Sequence, residues 1–389
     1  MRKVPHEARN SFKTAQIILK KLLTKPHLYR KLEFIKGPFP HTREGFGMGV
    51  TIHDIAKEAG VGKSTISRVI NGTGYVRAET VAKVRCVMER HNYHPSAAAR
   101  NLSKQESDTI GLILPEVNNP FFADILKGVS QMVDKCGYTL ILCGSDNDPE
   151  KDYRALRAMY AQRVKGLIYV PAVDYADDDS FGRMQGMLKS LNCPVVLLDR
   201  PIARMNRDCV MTDNFSGAYA ATEALIRAGH TRIGVIAGDT QLFIGRERYE
   251  GFRAAMEQNG LTVNPAHVIY GQFDKQITYE KVVELFDGGD TPTAFFISNN
   301  LSEAGFLTAA YEKGLRIPED IAFVGFDTIP GQDVFNMPYS SLEREVLRLG
   351  EQAAQLLFRR FDSPDRPAEK VVILPHVCLR GSERFAPKQ

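Results

Sequence analysis

Acidic, amide and aromatic side chains recur where short apolar runs end in the long C-terminal part of the chain. Asn118-Asn119-Pro120-Phe121-Phe122 follows one run, and Asp199-Arg200, Asn299-Asn300 and Asp327 close three others. Carboxylates and amides exchange paired hydrogen bonds with hydroxyls, and an aromatic face suits the apolar face of a ring. Together they describe a site for a sugar-type ligand. A second set lies nearer the amino end, where Thr65, Ser67 and Arg68 share the polar side of a short helical stretch. Within it, Gly60-Val-Gly-Lys-Ser-Thr65 looks like the end of a phosphate-binding loop. That motif needs a glycine where Lys57 stands and a buried strand before it, so nucleotide binding is not expected.

The elements that must carry these groups can be read from apolar spacing. Ile110–Leu114, Thr139–Cys143, Leu167–Val170, Val195–Leu198, Ile233–Ala237, Ala294–Ile297 and Ile321–Phe326 are buried-strand candidates. Polar, helix-forming stretches separate most of them, the pattern of parallel βαβ units. At about 280 residues this body exceeds one comfortable core, so two doubly wound α/β lobes are expected. Ligands of such sheets bind at the carboxyl ends of strands, here in the cleft between lobes.

The front part reads as all-α. Thr51 and Asp54 form a capping-box start, and Ile52, Ile55, Ala56 and Ala59 make one apolar face. Gly60 ends that helix. The next one buries Val61, Ile66, Val69 and Ile70, and a third is expected over Ala78–Asn92 with Val81, Val84 and Met88 inward. Two short helices joined by a tight glycine turn are a helix-turn-helix, whose second helix can enter a major groove. After it, Pro95 and three alanines favour a helix too short to be stable alone, one that orders only when packed against something.

Charge follows the same division. Residues 1–47 hold 11 Lys and Arg against 3 Asp and Glu, and residues 48–104 hold 9 against 4. Residues 105–389 hold 30 against 39, so a net charge of +4 hides a basic front and an acidic body. The front can bind phosphates that the body repels. No catalytic or metal motif such as His-Glu-x-x-His or Gly-x-Ser-x-Gly occurs, and the six cysteines show no metal spacing. No cofactor, metal or enzymatic activity is expected. The apolar run Ala15–Leu23 is broken by Lys20 and Lys21, and no stretch is long enough to span a membrane, so a cytoplasmic, nucleoid-associated protein is expected.

The helix-turn-helix, the helix after it and Tyr93-His-Pro-Ser-Ala-Ala-Ala-Arg-Asn-Leu102 resemble the headpiece and hinge of the lactose-repressor (LacI/GalR) family. Asn-Pro-Phe-Phe, Pro-Val-Val-Leu-Leu-Asp-Arg, Asp213-Asn214, Arg248 to Phe252 and Val-Gly-Phe-Asp resemble its sensor domain, so the likeness covers about 335 residues. It implies a regulator, expected to be a repressor, whose hold on a pseudo-palindromic double-stranded DNA operator depends on a small carbohydrate-type effector. It places Lys63, Ser64 and Arg68 against base edges and Thr51, Thr65, Ser67, Asn71 and Tyr93 at the phosphate backbone. Ser96, Ala99 and Leu102 form the minor-groove hinge, with Leu102 as the wedge. Phe121, Phe122, Asp199, Arg248, Asn299 and Asp327 hold the effector. Arg246, beside Arg248, either favours an anionic effector such as a sugar acid or sugar phosphate or is simply exposed to solvent.

Three departures stand out. Asn300 replaces the family's usual Asp, Gly62 its usual Ser cap, and Arg77 a Ser cap of the third helix. The implied organisation is an atypical basic extension at 1–47, a headpiece at 48–92, a hinge at 93–107 and an effector-binding and dimerisation domain at 108–389. The extension is either a DNA-binding arm or the product of an upstream start codon ahead of Met48. The final residues contain no heptad, which favours a homodimer. The alternative is a sugar-binding protein of a transport or sensing system with no role at DNA.

Overall fold

A computed structural model describes residues 50–93, 107–332, 334 and 336–385, and the side chain of Asn71 lies outside that set. The extension at 1–47 and the hinge residues Ser96, Ala99 and Leu102 fall outside it too. The chain divides into two units, Met1–Ala97 and Ala98–Gln389.

The first unit has three helices among its described residues: α1 (Ile52–Ala59), α2 (Lys63–Asn71) and α3 (Ala78–Arg90). Thr51 caps α1 through a reciprocal capping box with Asp54, and Gly60, in a left-handed conformation (φ 67°), stops it. Gly62 and Arg77 cap α2 and α3 without a side-chain hydrogen bond, as their residue types require. Ile55, Ala59, Ile66 and Val84 are fully buried and form one small core with Ala56 and Val87. Val87 faces inward more completely than the expected Val81 and Met88, which stay half-buried. Each fully buried Ile or Val stabilises by about 1.5–3 kcal/mol, so a core of this size needs all three helices.

The second unit is two α/β lobes, as the alternation of strands and helices implies. Its strands are β1 (Thr109–Leu114), β2 (Thr139–Gly144), β3 (Gly166–Tyr169), β4 (Val195–Leu198), β5 (Cys209–Thr212), β6 (Ile233–Ala237), β7 (Val268–Tyr270), β8 (Ala294–Ile297), β9 (Ala322–Gly325), β10 (Ser341–Glu343), β11 (Lys370–Ile373) and β12 (His376–Cys378). The first sheet runs β11-β5-β4-β3-β1-β2 and the second β12-β10-β9-β8-β6-β7. Every pair is parallel except β10 with β12.

Helices α4 (Pro120–Lys135), α5 (Pro149–Ala161) and α6 (Asp178–Ser190) cover the first sheet. Helices α7 (Asn214–Arg227), α8 (Phe243–Gln258), α9 (Lys275–Asp287) and α10 (Asn300–Glu312) cover the second. Helix α11 (Val346–Asp362) returns to the first lobe and packs on α4. That crossing is close because glycines line it. A Cβ on Gly128 would meet the Leu347 carbonyl oxygen at 2.1 Å, and one on Gly350 the Ile125 carbonyl oxygen at 2.3 Å.

The chain passes between the sheets three times, at β5–α7, β10–α11 and β11–β12. Residues in these links belong to neither lobe alone.

Candidate functional site

On the headpiece, Lys63 and Ser64 are exposed at the start of α2 and Arg68 is exposed one turn later, while Thr65 and Ser67 are half-buried on its flanks. The Arg68 stem lies near Gly74, whose φ of 71° suits glycine. Tyr93 is half-buried against the headpiece core, and its amide donates to the Met88 carbonyl at 2.8 Å. Thr51 has a local task as well: its hydroxyl donates to Asp54 Oδ2 at 2.6 Å.

In the second unit a cleft opens between the lobes. Phe121, Phe122, Asp199, Arg248, Asn299 and Asp327 all line it, so the six residues expected to hold an effector do converge. They come from strand ends and helix starts, where backbone groups are left for side chains and ligands. Asn119 caps α4 by accepting from the Phe121 amide at 3.1 Å, and this sets Phe121 and Phe122 edge-to-face at 4.9 Å.

The cleft floor is a chain of hydrogen bonds that runs from one lobe to the other. Arg200 donates to Asn147 Oδ1 (2.8 Å), and Asn147 donates to Glu116 Oε1 (2.6 Å). Glu116 also accepts from Asn119 Nδ2 (3.0 Å), and Asn119 Oδ1 accepts from Asn300 Nδ2 of the second lobe (3.0 Å). The Asn300 amide donates to Asp327 Oδ2 (3.2 Å), whose other oxygen accepts from Arg344.

Asp199 has a φ of 62° and is almost wholly buried, with Oδ1 free of any protein hydrogen bond. A non-glycine residue held in that region costs about 1–3 kcal/mol, a strain that surrounding structure must hold and that functional sites commonly store. Arg248 is buried and bonds only to neutral groups: Nε donates to Asn214 Oδ1 (2.8 Å) and Nη1 to the Ser298 carbonyl (2.6 Å). Its guanidinium lies 3.7 Å from the Phe326 ring centre. Burial, and then the like charge of Arg344, pushes its pKa down to about 9. Burial likewise lowers that of Arg200.

Three details refine the sequence reading. Asn299 lines the cleft but its amide is occupied, capping α10 through the Ser302 amide (3.0 Å) and donating to the Phe273 carbonyl (3.4 Å). Arg246 does not line the cleft; it is half-exposed and paired with Asp174 at 3.1 Å. Arg344, which no motif singled out, does line it, with its side chain 4% exposed and its guanidinium 4.2 Å from the Phe121 ring centre. Phe273, Leu242 and Ile244 were also missed. Phe273 sits in a left-handed loop (φ 59°) that spacing rules do not see. A Pro-x-x-x-Leu-Glu-Arg reading of residues 338–344 carries no chemical signal of its own. Arg344 follows directly on the three-residue β10, which no apolar run marks.

Two α/β lobes around a ligand-sized cleft, joined in sequence to a helix-turn-helix, define a ligand-binding DNA regulator. Residues 51–96 match the family described as bacterial regulatory proteins, lacI family. Residues 107–376 match periplasmic binding proteins and sugar binding domain of LacI family. The chain belongs to the LacI family and is a DNA-binding transcriptional regulator with an effector-binding domain.

It is 37% identical to the HTH-type transcriptional repressor PurR of Haemophilus influenzae strain PittEE, over 85% of this chain and 98% of that one. It is 35% identical to the PurR of Pasteurella multocida strain Pm70 over the same shares. Among solved structures it resembles the lac repressor dimer bound to operator and the anti-inducer ONPF, with a TM-score of 0.75 at 23% identity over 86% of this chain and 99% of that one. It also resembles a transcriptional regulator CelR-cellobiose complex, with a TM-score of 0.64 at 28% identity over 86% of this chain and 99% of that one. A LacI family regulator from Enterococcus faecium with bound ribose gives 0.63 at 27% identity over 72% of this chain and all of that one. The match at 51–96 leaves the transport-protein alternative without support. No helix among the described residues is long and apolar enough to cross a membrane.

Proposed function

We propose that the chain is a cytoplasmic repressor that binds a pseudo-palindromic operator as a homodimer, and that a small polyhydroxylated effector in the cleft sets its affinity for DNA. The observation that carries this reading is the cleft. It is lined by both lobes and floored by a hydrogen-bond chain that crosses between them, so a ligand touching both walls changes the balance between open and closed arrangements. The regulators described with cellobiose and with ribose support a carbohydrate class of effector. The cleft groups are assigned to binding and not to turnover.

In this reading residues 48–92 are the headpiece, 93–107 the hinge and 108–389 the sensor and dimerisation body. Lys63, Ser64 and Arg68 read base edges, while Thr65, Ser67, Asn71 and Tyr93 hold phosphates. Ser96, Ala99 and Leu102 enter the minor groove, so the coupling reaches DNA through the hinge.

The test is operator selection from a random pool with the full chain, followed by fluorescence anisotropy with and without cleft ligands. A pseudo-palindromic site should be enriched, and a bound effector should change affinity by roughly 5- to 150-fold, the usual range of such coupling. Operator affinity that ignores every ligand the chain binds would sink the proposal. So would turnover of a bound sugar.

A further inference from the structure

The cleft holds charges in an uneven arrangement. Asp327 is satisfied by Arg344 and the Asn300 amide, and both oxygens of Glu116 are taken by amides. Asp199 lies 3.9 Å from Arg200. Among the described residues Arg248 has no acidic partner within ion-pair distance: its bonds go to an amide oxygen and a carbonyl, and the like charge of Arg344 bears on it more strongly than the carboxylates of Asp327 and Asp199. Arg344 engages Asp327 through Nη2 alone, leaving Nε and Nη1 buried without a protein acceptor. The two guanidiniums lie 3.7 and 5.2 Å from the same Phe326 ring centre, so both stand at one end of the cleft.

A buried cation without a counter-charge is costly, and so is each buried donor without an acceptor. One anion at this end answers both demands. Nearby, Asp199 Oδ1 stands without a hydrogen-bond donor, held by its strained backbone at the end of β4. Leu242, Ile244 and Phe121 supply apolar wall to the same cleft. The ligand that fits has one negative group, several hydroxyls and an apolar ring or chain face.

Resting on the reading of the cleft as an effector site, we propose that the effector is a polyhydroxylated carboxylate, a uronic or aldonic acid. Its carboxylate lies at the Arg344–Arg248 end and a hydroxyl donates to Asp199. A phosphate ester fits less well, because its charge approaches two at neutral pH and Asp199, Asp239, Asp327 and Glu116 all line the cleft. Arg344 lies in the link between β10 and α11, one of the three crossings between lobes, so an anion it holds bears on a segment that joins the two lobes.

The test is calorimetry and thermal shift on the full chain. The probes are glucuronate, galacturonate and gluconate, their neutral parents glucose and galactose, and glucose 6-phosphate. At least one acid should bind about tenfold or more tighter than its neutral parent and than the phosphate ester, the range expected for a charged hydrogen bond. Arg344→Gln should remove most of that preference, and Arg344→Lys should restore part of it. Arg344→Lys keeps a charge beside Asp327, so it controls for folding.

A neutral parent binding as tightly as its acid overturns the proposal and leaves the effector reading standing. Tightest binding of the phosphate ester, or no binding by any acid, also overturns it. An acid that binds through Arg344 but leaves operator affinity unchanged supports this inference and defeats effector control.

Discussion

Asn300 Nδ2 donates to Asn119 Oδ1 at 3.0 Å, joining the first turn of α10 in one lobe to the cap of α4 in the other. It is a buried side-chain bond across the cleft, and it uses the amide that stands where the family usually has a carboxylate. Asn300→Asp removes the donor and places a second carboxylate beside Asp327, facing the Asn119 amide oxygen. Asn119 Oδ1 keeps the Phe121 amide, so the closed arrangement should weaken by roughly 0.5–1.5 kcal/mol, the net worth of one hydrogen bond. Small-angle scattering should show a larger radius of gyration for the ligand-free variant. An unchanged radius and unchanged effector affinity would show that this bond does not hold the lobes.

Lys63 and Ser64 begin α2 on its exposed side, and Arg68 follows one turn later. Exchanging the pair at 63 and 64 should change which operator is selected while leaving effector affinity intact. Arg68→Ala should cost about 1–3 kcal/mol at its preferred site and relax specificity at one base position. Retained operator preference in both variants would remove these residues from base reading.

Thr51 serves the capping box, whatever it does at DNA. Thr51→Ala should destabilise the headpiece by about 1 kcal/mol, and Thr51→Ser should not. Hydrogen exchange at the α1 amides separates the two roles. Lost operator affinity with unchanged exchange would point to a phosphate contact as its main task.

Glu303 is wholly buried on α10, and neither carboxyl oxygen has a hydrogen-bond partner. Burial, and then the charge of Asp327, raises its pKa well above the ordinary 4.5. An acid whose folded pKa is raised keeps its proton in the folded state while the unfolded chain releases it. Stability is therefore full below pH 4.5 and falls as pH rises toward the folded pKa, by up to about 1.4 kcal/mol per pH unit. Glu303→Gln should raise the melting temperature at pH 7 and flatten this part of the profile relative to the natural chain. Asp152 contributes in the same direction, so only the difference between the two proteins is informative. A variant that melts lower at pH 7, with an unchanged slope, would rule out the neutral carboxyl.

The sequence by itself determined the parts. Capping residues and apolar spacing fixed α1 and α2, because helix starts obey local rules of hydrogen bonding. The buried strands β1, β3, β4, β6, β8 and β9 were legible as apolar runs bounded by polar stretches, and the ends of β1, β4, β8 and β9 pointed to Phe121, Asp199, Asn299 and Asp327. Arg248 came from a family motif and from no local rule.

Tertiary structure decided how those parts meet. Strands β7, β10 and β12, of three residues each, are too short for an apolar run to mark, yet Arg344 of the cleft follows directly on β10. Phe273 arrives on a left-handed loop, and Asn300 rather than Asn299 bridges the lobes. A parallel sheet brings the carboxyl ends of distant strands together, so which groups meet there depends on strand order and on how one lobe closes against the other. No local spacing encodes that. The charge balance of the cleft, with Arg248 lacking an acidic partner and Arg344 only partly paired, exists only once the lobes have met.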